Sequence, residues 1–219
     1  MYWITDLYDL SHTLAANYLR GFTYPWEALA GLADLIEGLC EMLDKQDYDE
    51  IAPWVWVSKS AVVAASAHLD APCIIGPESE VRHCAFIRGS VLVGAGCVVG
   101  NSVELKNAIL FDQVQVPHYN YVGDSILGYK AHMGAGAITS NVKSDKSPVV
   151  VRCGLEEYPT GLKKLGAMVG DGAEIGCNSV LNPGTVIGRG ASVYPLSSVR
   201  GTVLENHIYK TGGIIVPRH

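Results

Sequence analysis

Charge is scarce in this chain. Asp, Glu, Lys and Arg make up 17% of its 219 residues, against about a quarter in an average globular protein. The charges present sum to −6, so non-specific nucleic-acid binding is not favoured. No apolar run approaches the ~18 residues of a membrane-spanning helix, and no basic stretch followed by an apolar one opens the chain. Neither membrane insertion nor secretion is expected, and the chain reads as cytoplasmic. Cysteine occurs at Cys40, Cys73, Cys84, Cys97, Cys153 and Cys177, never as a C-x-x-C pair. That scatter fits reduced structural thiols.

What is present in excess is glycine, with 24 residues, and a period of six. Val57, Val63, Leu69, Ile75, Val81, Ile87, Val93, Val99 and Leu105 form an unbroken aliphatic series at six-residue spacing. Two positions before each next member stands a small or β-branched residue, among them Ala67, Cys73, Ser79, Ala85 and Cys97. A helix repeats near 3.6 and a strand near 2, so neither explains a strict six. Such a short fixed period is the mark of a parallel β-helix, with three hexads making one turn of about 18 residues. The same phase returns at Val169, Ile175, Leu181, Ile187, Val193 and Val199. The fold class expected is all-β, with residues 51–200 forming the coil.

The flanks read differently. Asp6 or Ser11 is placed to cap a short helix through His12–Leu19. Pro25 opens a second helix reaching Asp44, with Leu29, Leu32, Leu35, Ile36, Leu39 and Leu43 on one face. Residues 1–50 are thus expected to be an α-helical cap over the open end of the coil. The hexads stop after Asn141, so residues 142–168 read as an insertion with room for a hairpin. Residues 201–219 read as a tail, with Ile214–Val216 forming one more strand.

The phase also slips by one residue between Leu105 and Leu110, and again before Leu127. Polar chemistry concentrates there: Lys106, Asn107, His118, Tyr119, Asn120, Tyr121, Asp124 and His132. A solenoid with flat faces encloses no ligand by itself. Clefts between neighbouring coils in a closed oligomer would supply the enclosure.

The runs Asn101–Asn107, Val116-Pro117-His118-Tyr119-Asn120-Tyr121-Val122-Gly123-Asp124 and Met133-Gly134-Ala135-Gly136-Ala137-Ile138-Thr139-Ser140-Asn141 resemble the acetyltransferase half of the bifunctional bacterial enzymes that make UDP-N-acetylglucosamine. Thr160–Gly166 and Val169–Gly172 look more like the C-terminal domain of archaeal-type sugar-1-phosphate nucleotidylyltransferases. The resemblance covers roughly residues 53–200. It implies a left-handed parallel β-helix, an exception to the right-handed crossover rule, and a homotrimer with active sites between subunits. It implies acetyl transfer from acetyl-CoA to the amino group of a hexosamine 1-phosphate, with no metal required.

Carried over by position, His118 matches the general base, and Asn141 and Tyr121 match residues that orient the sugar. Arg88 and Lys106 match the phosphate-binding cations, 18 residues apart and so stacked on adjacent turns. Ala135 matches the position whose backbone N–H holds the acetyl carbonyl, and Cys177 falls where the family carries Ser near the CoA arm. Two positions depart from the pattern. His132 stands where the family has an Asn that holds the sugar. The basic residue after Asn141 is met only approximately, by Lys143 or Lys146. No Gly-rich signature of the family's nucleotidylyltransferase domain is found, so this chain is not expected to make a nucleotide sugar itself.

Two other readings compete. Zinc carbonic anhydrases share the coil, but their chemistry needs three imidazoles, and Gly123 stands where a His would complete the set. A non-catalytic coil, serving as an oligomerisation or sugar-phosphate-binding module for a separate nucleotidylyltransferase, is the stronger alternative. Release of CoA thiol in the presence of hexosamine 1-phosphates discriminates it from an enzyme.

Overall fold

A computed structural model describes residues 2–218. The hexad rule is visible in the burial. From Ile75 onward every aliphatic member of the series through Leu105 is sealed inside, as are Val116, Val122, Leu127, Met133, Val169, Ile175, Leu181, Ile187, Val193 and Val199. The small phase is sealed with it, at Cys73, Ser79, Ala85, Val91, Cys97 and Val103. Successive turns lie one strand spacing apart, about 4.8 Å, so each side chain packs against its equivalents above and below. Each buried aliphatic contributes about 2 kcal/mol. The result is the expected parallel β-helix, of about nine turns.

The coil has three faces. Face I stacks His68–Asp70, Phe86–Arg88, Glu104–Lys106, Tyr121–Gly123, Ile138–Thr139, Val180–Leu181 and Ser198–Val199 in parallel register. Face II runs from Val55–Val57 through Cys73–Ile75, Val91–Val93, Ala108–Leu110, Ser125–Leu127 and Ala167–Val169 to Thr185–Ile187. Face III stacks Val62–Val63, Glu80–Val81, Val98–Val99, Gln115–Val116, His132–Met133, Glu174–Ile175 and Ser192–Val193.

The corner between faces III and I repeats one backbone device. Cys84, Ser102, Tyr119, Gly136, Asn178 and Leu196 all take left-handed conformations, with φ between +52° and +69°. Gly136 lets the Asn178 side chain come close, since a Cβ there would lie 2.2 Å from Asn178 Oδ1. The phase slips are a second corner cut short by one residue. Asn107 and Asp124, at φ +48° and +47°, turn the chain inside the strands Glu104–Leu110 and Tyr121–Leu127.

The N-terminal segment departs from the expected end cap. The expected helix over His12–Leu19 is two short pieces, Leu10–His12 and Ala16–Leu19. The longer helix is a 3-10 stretch, Pro25–Gly31, followed by an α-helix, Leu32–Cys40. Gly31 at the junction lets Tyr18 approach, since a Cβ there would sit 2.7 Å from the Tyr18 hydroxyl. The segment lies along the flank of the coil and runs from its last turns toward its first. Tyr2 Oη accepts from Glu205 N–H (2.6 Å), Thr5 O from Arg189 (3.1 Å), and Leu7 O from Asp171 N–H (3.0 Å). Helix Leu32–Cys40 then packs on face II.

Its reason is an outward stripe of apolar residues on that face: Trp56, Ile74, Leu92, Ile109, Ile126, Met168 and Val186, all buried. Face II therefore has two apolar sides, and the N-terminal segment makes a second core on the outer one. The open end gains less cover, and Val63 and Leu69 remain only partly buried.

Residues 142–166 leave the coil and return. Val150–Cys153 and Glu156–Pro159 form an antiparallel hairpin, anchored by Val149 and Val151, which are buried. Tyr158 meets Tyr24 edge-on at 5.6 Å, and Tyr24 stacks on Trp26 at 4.8 Å. Beyond Arg200 the coil continues: Thr202–Val203 pairs with Val186–Ile187, and Ile208–Tyr209 with Ser192–Val193. The final strand Ile214–Pro217 closes face III antiparallel. No helix among the described residues is long and apolar enough to cross a membrane.

Candidate functional site

The left-handed corner stacks three of the expected site residues directly above one another. Gly136 N–H donates to His118 O (3.0 Å), Asn178 N–H to Ala135 O (2.8 Å), and Leu196 N–H to Cys177 O (2.9 Å). These bonds place His118, Ala135 and Cys177 at the same corner of successive turns, about 4.8 Å apart. The imidazole of His118 is exposed and bonds to no other described residue. Its backbone is held: His118 N–H donates to Asn120 Oδ1 (3.1 Å), while Asn120 Nδ2 donates to Gly134 O (2.8 Å) and Ala137 O (3.0 Å). Buried Asn120 thus fastens the His118 turn to the Ala135 turn. The backbone N–H groups of Ala135 and Cys177 donate to no other described residue, so both are available at the surface of this corner.

Face I begins where that corner ends, three residues after His118. Arg88 Nη1 donates to Glu104 Oε1 at 2.7 Å, which raises the Arg88 pKa further. One turn on, Lys106 Nζ lies 3.7 Å from Asp124 Oδ1. Asp124 Oδ1 accepts from Asn107 Nδ2 (2.9 Å), its Oδ2 accepts from Asn141 Nδ2, and Asn141 Nδ2 also donates to Tyr121 Oη (3.1 Å). Burial raises the Tyr121 phenol above its ordinary value, partly opposed by the bond from Asn141. Tyr121 therefore keeps its proton at neutral pH.

Lys106, Tyr121 and Asn141 form one network, with Arg88 beside it on the same face. The two cations do not stand alone as a dianion trap, because each already faces a carboxylate. Counting Arg88 and Lys106 against Glu104 and Asp124, the cluster is neutral within one chain.

Glu104 and Asp124 are the members that reading for cations, His and Asn passes over. A signal existed. Asn107, Asp124 and Asn141 are spaced 17 and 17, the length of a shortened turn, so all three must share one corner.

Two expected residues stand apart within one chain. His132 is on face III, paired with Gln115, three residues before His118 on the adjacent strand, with Nδ1 2.8 Å from Glu174 Oε2 in a polar cleft shared with Gln113, Gln115 and Lys130. Lys146 is exposed on the loop leading to the hairpin, at φ +57°, and makes no ion pair among the described residues. Lys143 instead pairs with Asp145 (3.6 Å). No group of three His, Cys, Asp or Glu side chains among the described residues could hold a metal ion.

The fold and the stacked corner define a class: hexapeptide-repeat parallel β-helix proteins. Comparison with known proteins agrees. Residues 69–150 match the family model described as the GMPPB C-terminal domain. The chain is 27% identical over 206 residues to the bifunctional protein GlmU of Methanococcus maripaludis strain C5, covering 92% of this chain and 50% of that protein. It is 31% identical over 135 residues to the bifunctional sugar-1-phosphate nucleotidylyltransferase/acetyltransferase of Sulfurisphaera tokodaii, covering 62% of this chain and 32% of that one. Among solved structures, a putative acetyltransferase of Bacillus cereus aligns over 74% of this chain and 76% of its own, at 19% identity and a TM-score of 0.42. The chain is a homologue of the GlmU and sugar-1-phosphate nucleotidylyltransferase/acetyltransferase proteins. It spans about half the length of the curated relatives it matches, or less.

Proposed function

We propose that the chain is an acetyl-CoA-dependent N-acetyltransferase acting on a hexosamine 1-phosphate or a similar amino-sugar phosphate. The observation that carries this reading is the border between the corner and face I. An exposed imidazole, His118, stands beside a free backbone N–H one turn on, at Ala135, and a cluster of polar side chains begins three residues away at Tyr121. Direct transfer needs that set. His118 accepts the proton from the amine as its nitrogen attacks the thioester carbonyl, and returns it to the departing CoA sulfur. Ala135 N–H donates to the carbonyl oxygen as negative charge develops there. Arg88, Lys106, Tyr121 and Asn141 hold the sugar phosphate, and Cys177 lies along the CoA arm one turn beyond Ala135.

The relatives' names support acetyl transfer as the chemistry. Because Arg88 and Lys106 are each paired, full neutralisation of a phosphate dianion calls for more charge than one chain offers. A homotrimer with sites between subunits supplies it: Lys146 is a cation a neighbouring copy would bring, and His132 a hydrogen-bonding side chain that comes with its Glu174 partner. The six unpaired cysteines suit a cytosolic setting.

The test is CoA-thiol release from acetyl-CoA with a panel of hexosamine 1-phosphates. Turnover with one of them is expected, and His118→Ala should lower it by about two orders of magnitude with the melting curve unchanged. No release with any sugar, from folded protein, overturns the enzyme reading and leaves the sugar-phosphate-binding module. Near-normal turnover in His118→Ala removes that residue from its role.

A further inference from the structure

Asp124 is the one charged residue in the buried class among the described residues, 4% exposed. A buried carboxylate is costly unless donors surround it. Its donors come from neighbouring turns: Asn107 Nδ2 at 2.9 Å, Asn141 Nδ2, and Lys106 Nζ at 3.7 Å. The backbone suits these residue types. Asn107 and Asp124 hold φ of +48° and +47°, in the left-handed region that Asn and Asp enter more readily than other side-chain-bearing residues. This shortened corner lies on the turns that carry Lys106 and Tyr121.

The chemistry of the network follows from one fact: a carboxylate only accepts. The amide group of Asn141 that faces Asp124 must therefore be its NH2. The same nitrogen donates to Tyr121 Oη at 3.1 Å. Asn141 is left with a carbonyl oxygen unused by the network. Tyr121, having accepted, is left with an O–H to give.

We propose that Asp124 is a positioning residue that sets the donor–acceptor polarity of the site, obliging Asn141 to offer a carbonyl oxygen and Tyr121 a hydroxyl proton to the ligand. Resting on the proposed function, Asn141 Oδ1 then accepts from a sugar hydroxyl or the amino group, and Tyr121 donates to a phosphate or ring oxygen. A neutral amide at position 124 can donate as well as accept. It frees Asn141 to turn over and releases Tyr121 from its orientation.

The experiment is a double-mutant cycle of Asp124→Asn and Tyr121→Phe, with glucosamine 1-phosphate and acetyl-CoA as the probes. Melting curves check the fold, and calorimetry measures sugar-phosphate binding. Each single variant should lower kcat/KM about 10-fold or more, chiefly through KM. The double variant should be no worse than Asp124→Asn alone. Effects that multiply, or an Asp124→Asn enzyme with normal KM, overturn the inference while leaving the function standing. Wild-type protein that neither binds nor turns over any hexosamine phosphate overturns the proposed function, and this inference with it. Should Asp124→Asn fail to fold, asparagine-labelled wild type decides by nuclear magnetic resonance. The Asn141 side-chain NH2 protons, assigned by Asn141→Ser, should exchange slowly with water already in the ligand-free protein, because Asp124 and Tyr121 hold them. Fast exchange that slows only when glucosamine 1-phosphate binds means that the NH2 itself meets the ligand, and overturns the inference.

Discussion

Burial sorts the cysteines into a buried three, an exposed pair and the half-buried Cys153. Cys97 is sealed at 0% exposure, its Sγ donates to Phe111 O (3.0 Å), and burial pushes its thiol up to about 12. Cys73 is likewise pushed to about 12 and Cys40 to about 11, whereas Cys84 and Cys177 are exposed. A coloured aromatic disulfide reagent should titrate Cys84 and Cys177 promptly and the buried three only after denaturation. Under the proposed function acetyl-CoA slows labelling of Cys177 but not Cys84, and equal rates with and without it remove Cys177 from the CoA arm. The buried thiols also set an alkaline limit. Their folded values lie above the unfolded value of 9.0, so the folded chain holds protons that the unfolded chain loses first. The stability they contribute is complete below pH 9 and is lost as pH rises toward about 12. Urea midpoints should fall through that window, and less steeply in Cys97→Ala.

At the level of elements, the N-terminal segment and the coil are held by side chains that hexad counting does not see. Ile109 points away from the coil interior yet is 0% exposed, because the N-terminal segment covers it. Ile109→Ala should therefore cost about 2–5 kcal/mol, as much as truncating the inward Ile87. A loss under 1 kcal/mol in urea unfolding would mean that the segment is loosely docked. Asn120 makes the same point for the corner. Its carbonyl bonds leave no substitute when it is truncated, so Asn120→Ala should cost about 1–3 kcal/mol and lower turnover by letting His118 move relative to Ala135. The outer stripe was legible: Trp56, Ile74, Leu92, Ile109 and Ile126 recur at 18, 18, 17 and 17 residues, the lengths of the full and the shortened turns. What the one-dimensional pattern leaves open is whether such a stripe meets the chain's own helices or another molecule.

Across the whole molecule, covering face II leaves faces I and III for association. Ile138 and Val180 are apolar, partly exposed, and adjacent on face I. If the active sites lie between subunits, light scattering should give a trimer, and Ile138→Glu should dissociate it and abolish turnover without unfolding the coil. A fully active wild-type monomer would place the whole site in one chain. The neutral balance of Arg88 and Lys106 against Glu104 and Asp124 makes that outcome the less favourable one for a dianionic ligand.

The repeat, the coil it builds, and the sites of its irregularity were all determined by the sequence, because a period of six survives in one dimension. So were His118 and Ala135, 17 residues apart, as members of one corner, whereas Cys177 lies beyond the insertion and only the folded chain stacks it there. The tertiary structure decided where the N-terminal helices lie, since their apolar face fits the flank stripe better than the small end of the coil. It also decided that each cation has a carboxylate. Pairing of that kind depends on which residues are stacked, and a one-residue shortening of the turn changes the stacking of every residue after it. Asp124 gains its significance only there, where three turns bring Asn107, Lys106 and Asn141 around a carboxylate that is nearly covered.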